Sequence, residues 1–179
     1  MIEEEEAIRR CQSGDREAFR YLVEQYKNIL YGTAYLMTSD RAVAEDQVQE
    51  AFFSAWKGIG GFKIGRPLKP WLVRILVNKV LSYRRSTSQS LAFYNHNDGQ
   101  ESAMQKVEDT ADEVESQDQV RRALDKLSDE HRQVILLRYF TGLSLAETSA
   151  ALKRPEGTIK SQLHRAIEHL QCSLNDGKI

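Results

Sequence analysis

The chain has 179 residues, 41% hydrophobic, 8% aromatic and 28% charged, which is enough apolar material for one or two small cores and too much for a wholly disordered chain. No stretch approaches the ~20 consecutive apolar residues of a membrane span, and the start, Met1-Ile2 followed by Glu3 to Glu6, lacks the basic-then-apolar pattern of a secretion signal. The net charge of −1 conceals a division: residues 1–85 hold 14 Lys/Arg against 11 Asp/Glu, residues 86–119 hold one basic residue against eight acidic ones, and residues 120–179 hold 10 against 7.

Two basic blocks thus flank an acidic one, and that distribution decides which segments can approach a polyanion. Cys11 and Cys172 lie at opposite ends of the chain, which excludes a disulfide framework and fits a reducing cytoplasm. Few prolines and glycines interrupt the sequence, so long helices are permitted.

In the first block, Gly14-Asp15 marks a helix start with Asp15 as N-cap. Phe19, Leu22, Val23, Tyr26, Ile29, Leu30 and Thr33 then recur at three- and four-residue steps along one helix face. Ser39-Asp40 starts a second helix, whose stripe is Ala44, Val48, Ala51, Phe52, Ala55 and Trp56, with Glu45, Asp46, Gln49 and Glu50 mostly off it. Gly58, Gly60, Gly61 and Gly65 break the pattern and predict a mobile loop over 58–69. Pro70 suits the first turn of a third helix. This helix directs Leu72, Ile75, Leu76, Val80 and Tyr83 inward and Arg74, Lys79, Arg84 and Arg85 outward. In isolation the basic row reads as a solvated face; beside aromatics it also suits single-stranded nucleic acid, held by stacking and by phosphate contacts. Trp56 and Trp71 fall at core positions, and Phe62, in the glycine-rich loop, stays open between the two roles.

Residues 86 to about 115, opened by Ser86-Thr87-Ser88-Gln89-Ser90, have too few apolar side chains to offset the entropy of ordering and are expected to form a linker. Leu91, Phe93 and Tyr94 are its exceptions. In the last block a short amphipathic helix is expected over Val120–Leu127. Ser128 caps another from Asp129 to about Phe140, ended by Gly142 in the left-handed conformation. Ser144 and Glu147 are spaced as a capping box for a helix beginning at Leu145. Ala146, Ala150, Ala151 and Leu152 offer a close helix crossing. Lys153-Arg154 is the turn, and Pro155 opens a final helix through Ile159, Leu163, Ala166, Ile167 and Leu170.

Two short helices joined by a tight turn, the second starting with polar and basic residues, have the layout of a helix-turn-helix. Thr158, Lys160, Ser161, His164 and Arg165 fall opposite the apolar stripe, where the second helix would present them to the edges of bases. Chemistry has little support. His164 and His169 do not share a face, His169 with Cys172 is only a pair, and no phosphate-binding glycine loop occurs. Neither enzymatic activity nor a cofactor is expected.

In order, these residues resemble a bacterial sigma-70 family factor of the extracytoplasmic-function (ECF) subgroup. Ala44-Glu45-Asp46-Gln47-Val48-Gln49-Glu50-Ala51-Phe52 with Ala55-Trp56 resembles region 2.2, and Pro70-Trp71-Leu72 through Asn78 to Arg84-Arg85 resembles regions 2.3 and 2.4. Leu127-Ser128 through Val134-Ile135-Leu136-Leu137-Arg138 resembles region 4.1. Leu145-Ala146-Glu147 through Glu156-Gly157-Thr158-Ile159-Lys160-Ser161 and His164-Arg165-Ala166 resembles region 4.2. The resemblance implies an all-α fold of two small helical domains: region 2 over 1–86, an acidic linker over 87–116 in place of region 3, and region 4 over 117–179.

It also implies a function. Such a factor binds core RNA polymerase through the β and β′ subunits, directs it to promoters and opens the DNA, and is commonly held by an anti-sigma protein. Asp46, Gln49 and Glu50 would dock on polymerase. Phe62, Lys63, Arg66, Arg74, Asn78, Lys79, Arg84 and Arg85 would hold the unpaired −10 strand. Arg154, Glu156, Gly157, Thr158, Lys160, Ser161, His164 and Arg165 would meet the −35 element. The acidic linker, repelled by DNA, suits the positively charged RNA path of the polymerase. Gln47 stands where an aliphatic residue is usual, which changes the packing beside Asp46, and Gln162 stands where arginine is common, which removes one phosphate contact. The competing reading is a stand-alone helix-turn-helix regulator whose first block binds a signal or partner.

Overall fold

The computed structural model describes residues 3–94 and 122–175, with side chains for 3–88 and 122–173. The expectations for the acidic segment and for the side chains of Leu91, Phe93 and Tyr94 lie outside the described residues, which are helical or connecting and contain no strand.

The first half is built from α1 (Glu4–Gln12), α2 (Arg16–Thr38), α3 (Arg41–Gly58) and α4 (Leu68–Tyr94). Their starts follow the sequence signals. Asp15 Oδ1 accepts from the backbone N–H of Glu17 at 2.9 Å and of Ala18 at 3.1 Å, while its Oδ2 pairs with Arg10 Nη2 at 2.6 Å. Gly14, at φ +89°, takes the left-handed turn that reverses the chain between α1 and α2. Asp40 caps α3 by accepting from Val43 N–H at 3.0 Å.

The core of this half combines Leu22, Leu30, Ala34 and Met37 of α2 with Ala44, Val48, Ala51 and Ala55 of α3 and Leu72, Val73, Leu76, Val77 and Val80 of α4. Ile8 and Cys11 of α1 close one side. Burial, helped by the charge of Asp15, pushes the Cys11 thiol up to about 11, so it stays a protonated, inert packing residue.

Two details of α4 differ from the sequence reading. Tyr83 is exposed, and Val73 and Val77 are buried instead. The reason is that α4 is covered on two sides, by α2 and α3 and by α7 of the second half, so its apolar face is wider than a single stripe. The helix also continues to Tyr94, well into the stretch expected to be linker. No proline or glycine occurs between Pro70 and Gly99 to stop it, and Ser86 remains helix-compatible by donating its hydroxyl to the Tyr83 carbonyl at 2.8 Å.

The second half comprises α5 (helical over 122–125), α6 (Asp129–Ile135), a π-helical turn over Leu136–Phe140, α7 (Leu145–Leu152) and α8 (Glu156–Asn175). Ser128 caps α6 by accepting from His131 N–H. The helix expected over 129–140 is one unbroken helical run whose last turn is π-helical. Thr141 N–H reaches back five residues to the Leu136 carbonyl at 3.0 Å, which widens the last turn and leaves Tyr139 and Phe140 exposed. Gly142, at φ +72°, then ends the element as expected.

The halves meet. Helix α7 lies along α4, while α6 and the π turn lie against α2. Phe140 stands over the backbone of Gly32 so closely that a Cβ there would come within 2.7 Å of its ring. Arg84 pairs with Asp129 at 2.6 Å, and one cluster of buried apolar residues runs through both halves.

Two measurements test this account. Leu76, fully buried in α4, should cost about 3 kcal/mol in chemical denaturation when changed to Ala. The amide of Ala18 and then the guanidinium of Arg10 hold the Asp15 carboxyl below its ordinary value of 3.8. A depressed carboxylate contributes stability above that ordinary value and loses it as pH falls through the folded one. Asp15→Ala should therefore lower the melting temperature at neutral pH, and the gap from the parent chain should close in acid.

Candidate polymerase and promoter-binding surfaces

The second half presents one polar face on a locked turn. Ser144 Oγ accepts from Glu147 N–H at 3.2 Å and the Glu147 carboxylate accepts from Ser144 N–H at 2.7 Å, the full capping box that starts α7. Lys153 takes the left-handed conformation at φ +55°. The turn is then tied by Arg154 N–H to the Ser149 carbonyl at 3.2 Å and by Ser149 Oγ, which donates to the Arg154 carbonyl at 2.5 Å. Thr148, Ala151 and Leu152 are the inward residues of α7, whereas Ala146 and Ala150 are exposed and do not form the expected close crossing. Two of the four expected residues, Ala151 and Leu152, therefore face inward, and Thr148 completes that side of the helix.

Beyond the turn, Ile159 and Ala166 of α8 are buried. Glu156, Gly157, Thr158, Lys160, Ser161, His164 and Arg165 are all exposed. Among the described residues Lys160 and Arg165 make no ion pair. His164 Nε2 lies 3.4 Å from Glu168 Oε1, a pair that is charged only when the imidazole is protonated.

Arg154 behaves differently from its neighbours. Its guanidinium reaches Gln162 Oε1 at 3.3 Å, Gln133 Oε1 at 3.5 Å and Glu130 Oε1 at 3.6 Å, and Gln162 Nε2 donates to Glu130 Oε2 at 2.9 Å. Gln162 thus exchanges a cation for a bridge, and Arg154 fastens the turn and α8 to α6.

In the first half, the described side chains of α4 place Arg74, Asn78 and Arg85 at helical spacing along one line, Arg74 and Arg85 exposed and Asn78 partly so. Lys79 and Arg84 are partly buried and engaged: Lys79 Nζ lies 3.2 Å from Glu50 Oε2, and Arg84 is the residue paired with Asp129. In the preceding loop Lys63 and Arg66 are exposed, whereas Phe62 is 8% exposed. The Phe62 ring packs on Trp71 with centroids 5.1 Å apart. It is an anchor of the loop, not an outward stacking surface, and Ile64 is the exposed apolar side chain there. The expected mobile loop over 58–69 is shorter than that: Gly58 still belongs to α3, Ile59–Gly61 form a 3-10 turn, Ile59, Phe62 and Leu68 are buried, and 63–67 is the longest exposed stretch.

On α3, Asp46, Gln49 and Glu50 are exposed side by side. The atypical Gln47 is 6% exposed and donates its amide to Asp46 Oδ2 at 3.1 Å, so the substitution orients the carboxylate next to it. One turn further on, Phe53 is 54% exposed with Lys57 Nζ 4.0 Å above its ring. Sequence reasoning missed Phe53. The signal was present, because of the adjacent pair Phe52-Phe53 on a helix only one can face the core.

No helix among the described residues is long and apolar enough to cross a membrane. Residues 22–89 match the family model for sigma-70 region 2, and residues 123–171 match that for sigma-70 region 4. The chain is 33% identical over 178 residues to the ECF RNA polymerase sigma factor SigW of Bacillus subtilis, which covers 94% of this chain and 95% of SigW. Among solved structures, the sigma factor RpoE in complex with the anti-sigma factor NepR from Bartonella quintana is 27% identical, with a TM-score of 0.72, over 88% of this chain and 96% of that one. CnrH in complex with the cytosolic domain of CnrY is 26% identical, with a TM-score of 0.69, over 98% of this chain and 99% of that one. The chain belongs to the sigma-70 family and, within it, to the ECF sigma factors. A stand-alone regulator is not favoured, because the first half is matched as region 2 and is not left over for a signal-binding role.

The two kinds of cation on this surface should separate by stability. Arg154→Ala is expected to destabilise the chain by about 1 kcal/mol through its lost hydrogen bonds. Arg165→Ala should stay within about 0.5 kcal/mol, as exposed substitutions do. Parallel urea titrations of the two variants decide it.

Proposed function

We propose that this ECF sigma factor divides its work among the three surfaces described above, with region 2 over 1–86, the acidic linker over 87–116 and region 4 over 117–179. It acts in the cytoplasm, without catalysis of its own, by bringing core RNA polymerase to its promoters. Asp46, Gln49 and Glu50, with Phe53 beside them, form the polymerase-binding face. Loop 63–67 and the line Arg74, Asn78, Arg85 hold the unpaired −10 strand, with Lys79 and Arg84 joining once their present partners are displaced. The N-terminal part of α8 reads the −35 element. An anti-sigma protein, of the kind seen with RpoE, holds the factor inactive.

The observation that carries this reading is the exposed row Thr158, Lys160, Ser161, His164 and Arg165 at the start of a helix whose turn is locked by Ser149 and Arg154. Side chains of moderate reach, on a helix end that cannot wander, are what base-edge recognition in a major groove requires. Packing of α7 along α4 is in this reading a closed arrangement. On polymerase the halves separate, each taking its own promoter element, and Arg84 is released from Asp129.

Reconstitution with bacterial core polymerase tests the function directly. Promoter-specific transcripts are expected only when chain and core are combined. Duplex binding by the chain alone, with no transcripts in the presence of core, would refute the reading. Lys160→Ala and Arg165→Ala should each weaken promoter binding and reduce the slope of log affinity against log salt by about 1, the signature of one lost phosphate contact.

A further inference from the structure

Helix α1 carries none of the surfaces assigned above, yet it reaches the promoter-facing loop by side chain. Gln12, the last residue of α1, directs its amide Nε2 at two loop carbonyls, Ile59 O at 3.0 Å and Phe62 O at 2.8 Å. One amide nitrogen has two hydrogens, and both have an acceptor. At the far end of the same loop, Glu4 accepts from Leu68 N–H at 3.5 Å through one carboxylate oxygen and from the Tyr26 hydroxyl through the other.

The points held are the buried ones. Ile59 is 3%, Phe62 8% and Leu68 1% exposed, and between them Lys63, Ile64, Gly65, Arg66 and Pro67 face solvent. That exposed stretch is folded into a tight turn, with Arg66 N–H on the Lys63 carbonyl at 3.3 Å and Gly65 at φ +84°. The loop is therefore a short cationic turn on a fixed base.

We infer that Gln12, assisted by Glu4, is a positioning residue for promoter opening: by fixing the backbone at Ile59 and Phe62 it aims the turn 63–67 at the unpaired −10 strand. The inference rests on the reading of that loop as a −10 contact. Its physical basis is preorganisation. A turn held in place before DNA arrives has less conformational entropy to lose when it closes on an extruded base. Without the two bonds the buried Phe62–Trp71 contact still tethers the loop, but no longer sets the direction in which its carbonyl, and hence Lys63, points.

The test uses the full chain with core polymerase and a promoter carrying a fluorescent base analogue in the −10 region. Gln12→Met keeps the length and removes the donors, Gln12→Glu turns a carboxylate on two carbonyl oxygens, and Gln12→Lys restores a donor long enough to reach both. Opening of duplex promoter is expected to fall about tenfold in the Met and Glu variants, the weight of one or two hydrogen bonds, and to be retained in the Lys variant. Affinity for core polymerase, which also reports folding, should stay within about twofold for all three, a change worth less than one hydrogen bond. Opening on a promoter already mismatched over the −10 bases should be less affected. Full duplex opening by Gln12→Met, or loss by Gln12→Lys equal to that by Gln12→Met, overturns the inference. Lys63→Ala combined with Arg66→Ala separates it from the reading beneath: if that pair leaves opening untouched, the loop is no −10 contact and the inference falls with it. If the pair impairs opening and Gln12→Met does not, only the positioning role is lost.

Discussion

The rotation of α4 about its own axis is the constraint on which the rest depends. Leu72, Val73, Leu76, Val77 and Val80 are all buried, so the helix has one orientation that satisfies the hydrophobic effect and no neighbouring one. Fixing that orientation fixes which way Arg74, Asn78 and Arg85 point. It also provides the seat on which α7 lies. An outward polar row and a contact between halves are thus both consequences of burying one apolar strip, and neither needs a separate stabilising device.

Signals confined to a few neighbouring residues were legible in the sequence. Asp15, Asp40, Ser128 and the Ser144–Glu147 box all cap the helices they were expected to cap, because a cap is made by a side chain and the backbone two or three residues on. The exposed face of α8 was legible for the same reason, being a periodicity of one helix. What was hidden depends on partners distant in sequence. Nothing local distinguishes Phe62 as an anchor until Trp71 is placed against it. Gln12 is 47 residues from Ile59, the nearer of its two acceptors in sequence, and a glutamine near a helix end has no signature of its own. The continuation of α4 to Tyr94 was masked by composition, since serines and threonines suggest a linker even where no residue stops the helix.

Charge distribution gains meaning from the same comparison. Counting by block correctly isolates two basic regions, but the structure divides their cations further. Arg154 is consumed by Glu130, Gln133 and Gln162 within the fold, Lys79 is paired with Glu50, and Arg84 with Asp129. Lys63, Arg66, Arg74, Lys160 and Arg165 make no such ion pair among the described residues. A basic patch read from sequence therefore overstates the charge that a phosphate backbone meets in this conformation, and only rearrangement can release the remainder.

Which cations are held back is itself informative. Arg84 and Asp129 come from different halves, as do Ser39 and Asp125, whose side chains meet at 3.4 Å, and Gly32 and Phe140. Each is a modest contact: the Arg84–Asp129 pair is only partly buried, with side-chain exposures of 35% and 52%, and the Phe140 ring is 45% exposed. Partly solvated ion pairs contribute on the order of 1 kcal/mol or less, and a half-exposed ring less than a buried one. The caps and the Arg154 bridges lie within each half, whereas one buried apolar cluster is shared by both, and the polar and ring contacts named here are the weaker part of what joins them. These weaker contacts are the ones most readily exchanged for other partners, and loss of the Asp129 pair leaves the Arg84 guanidinium open to one.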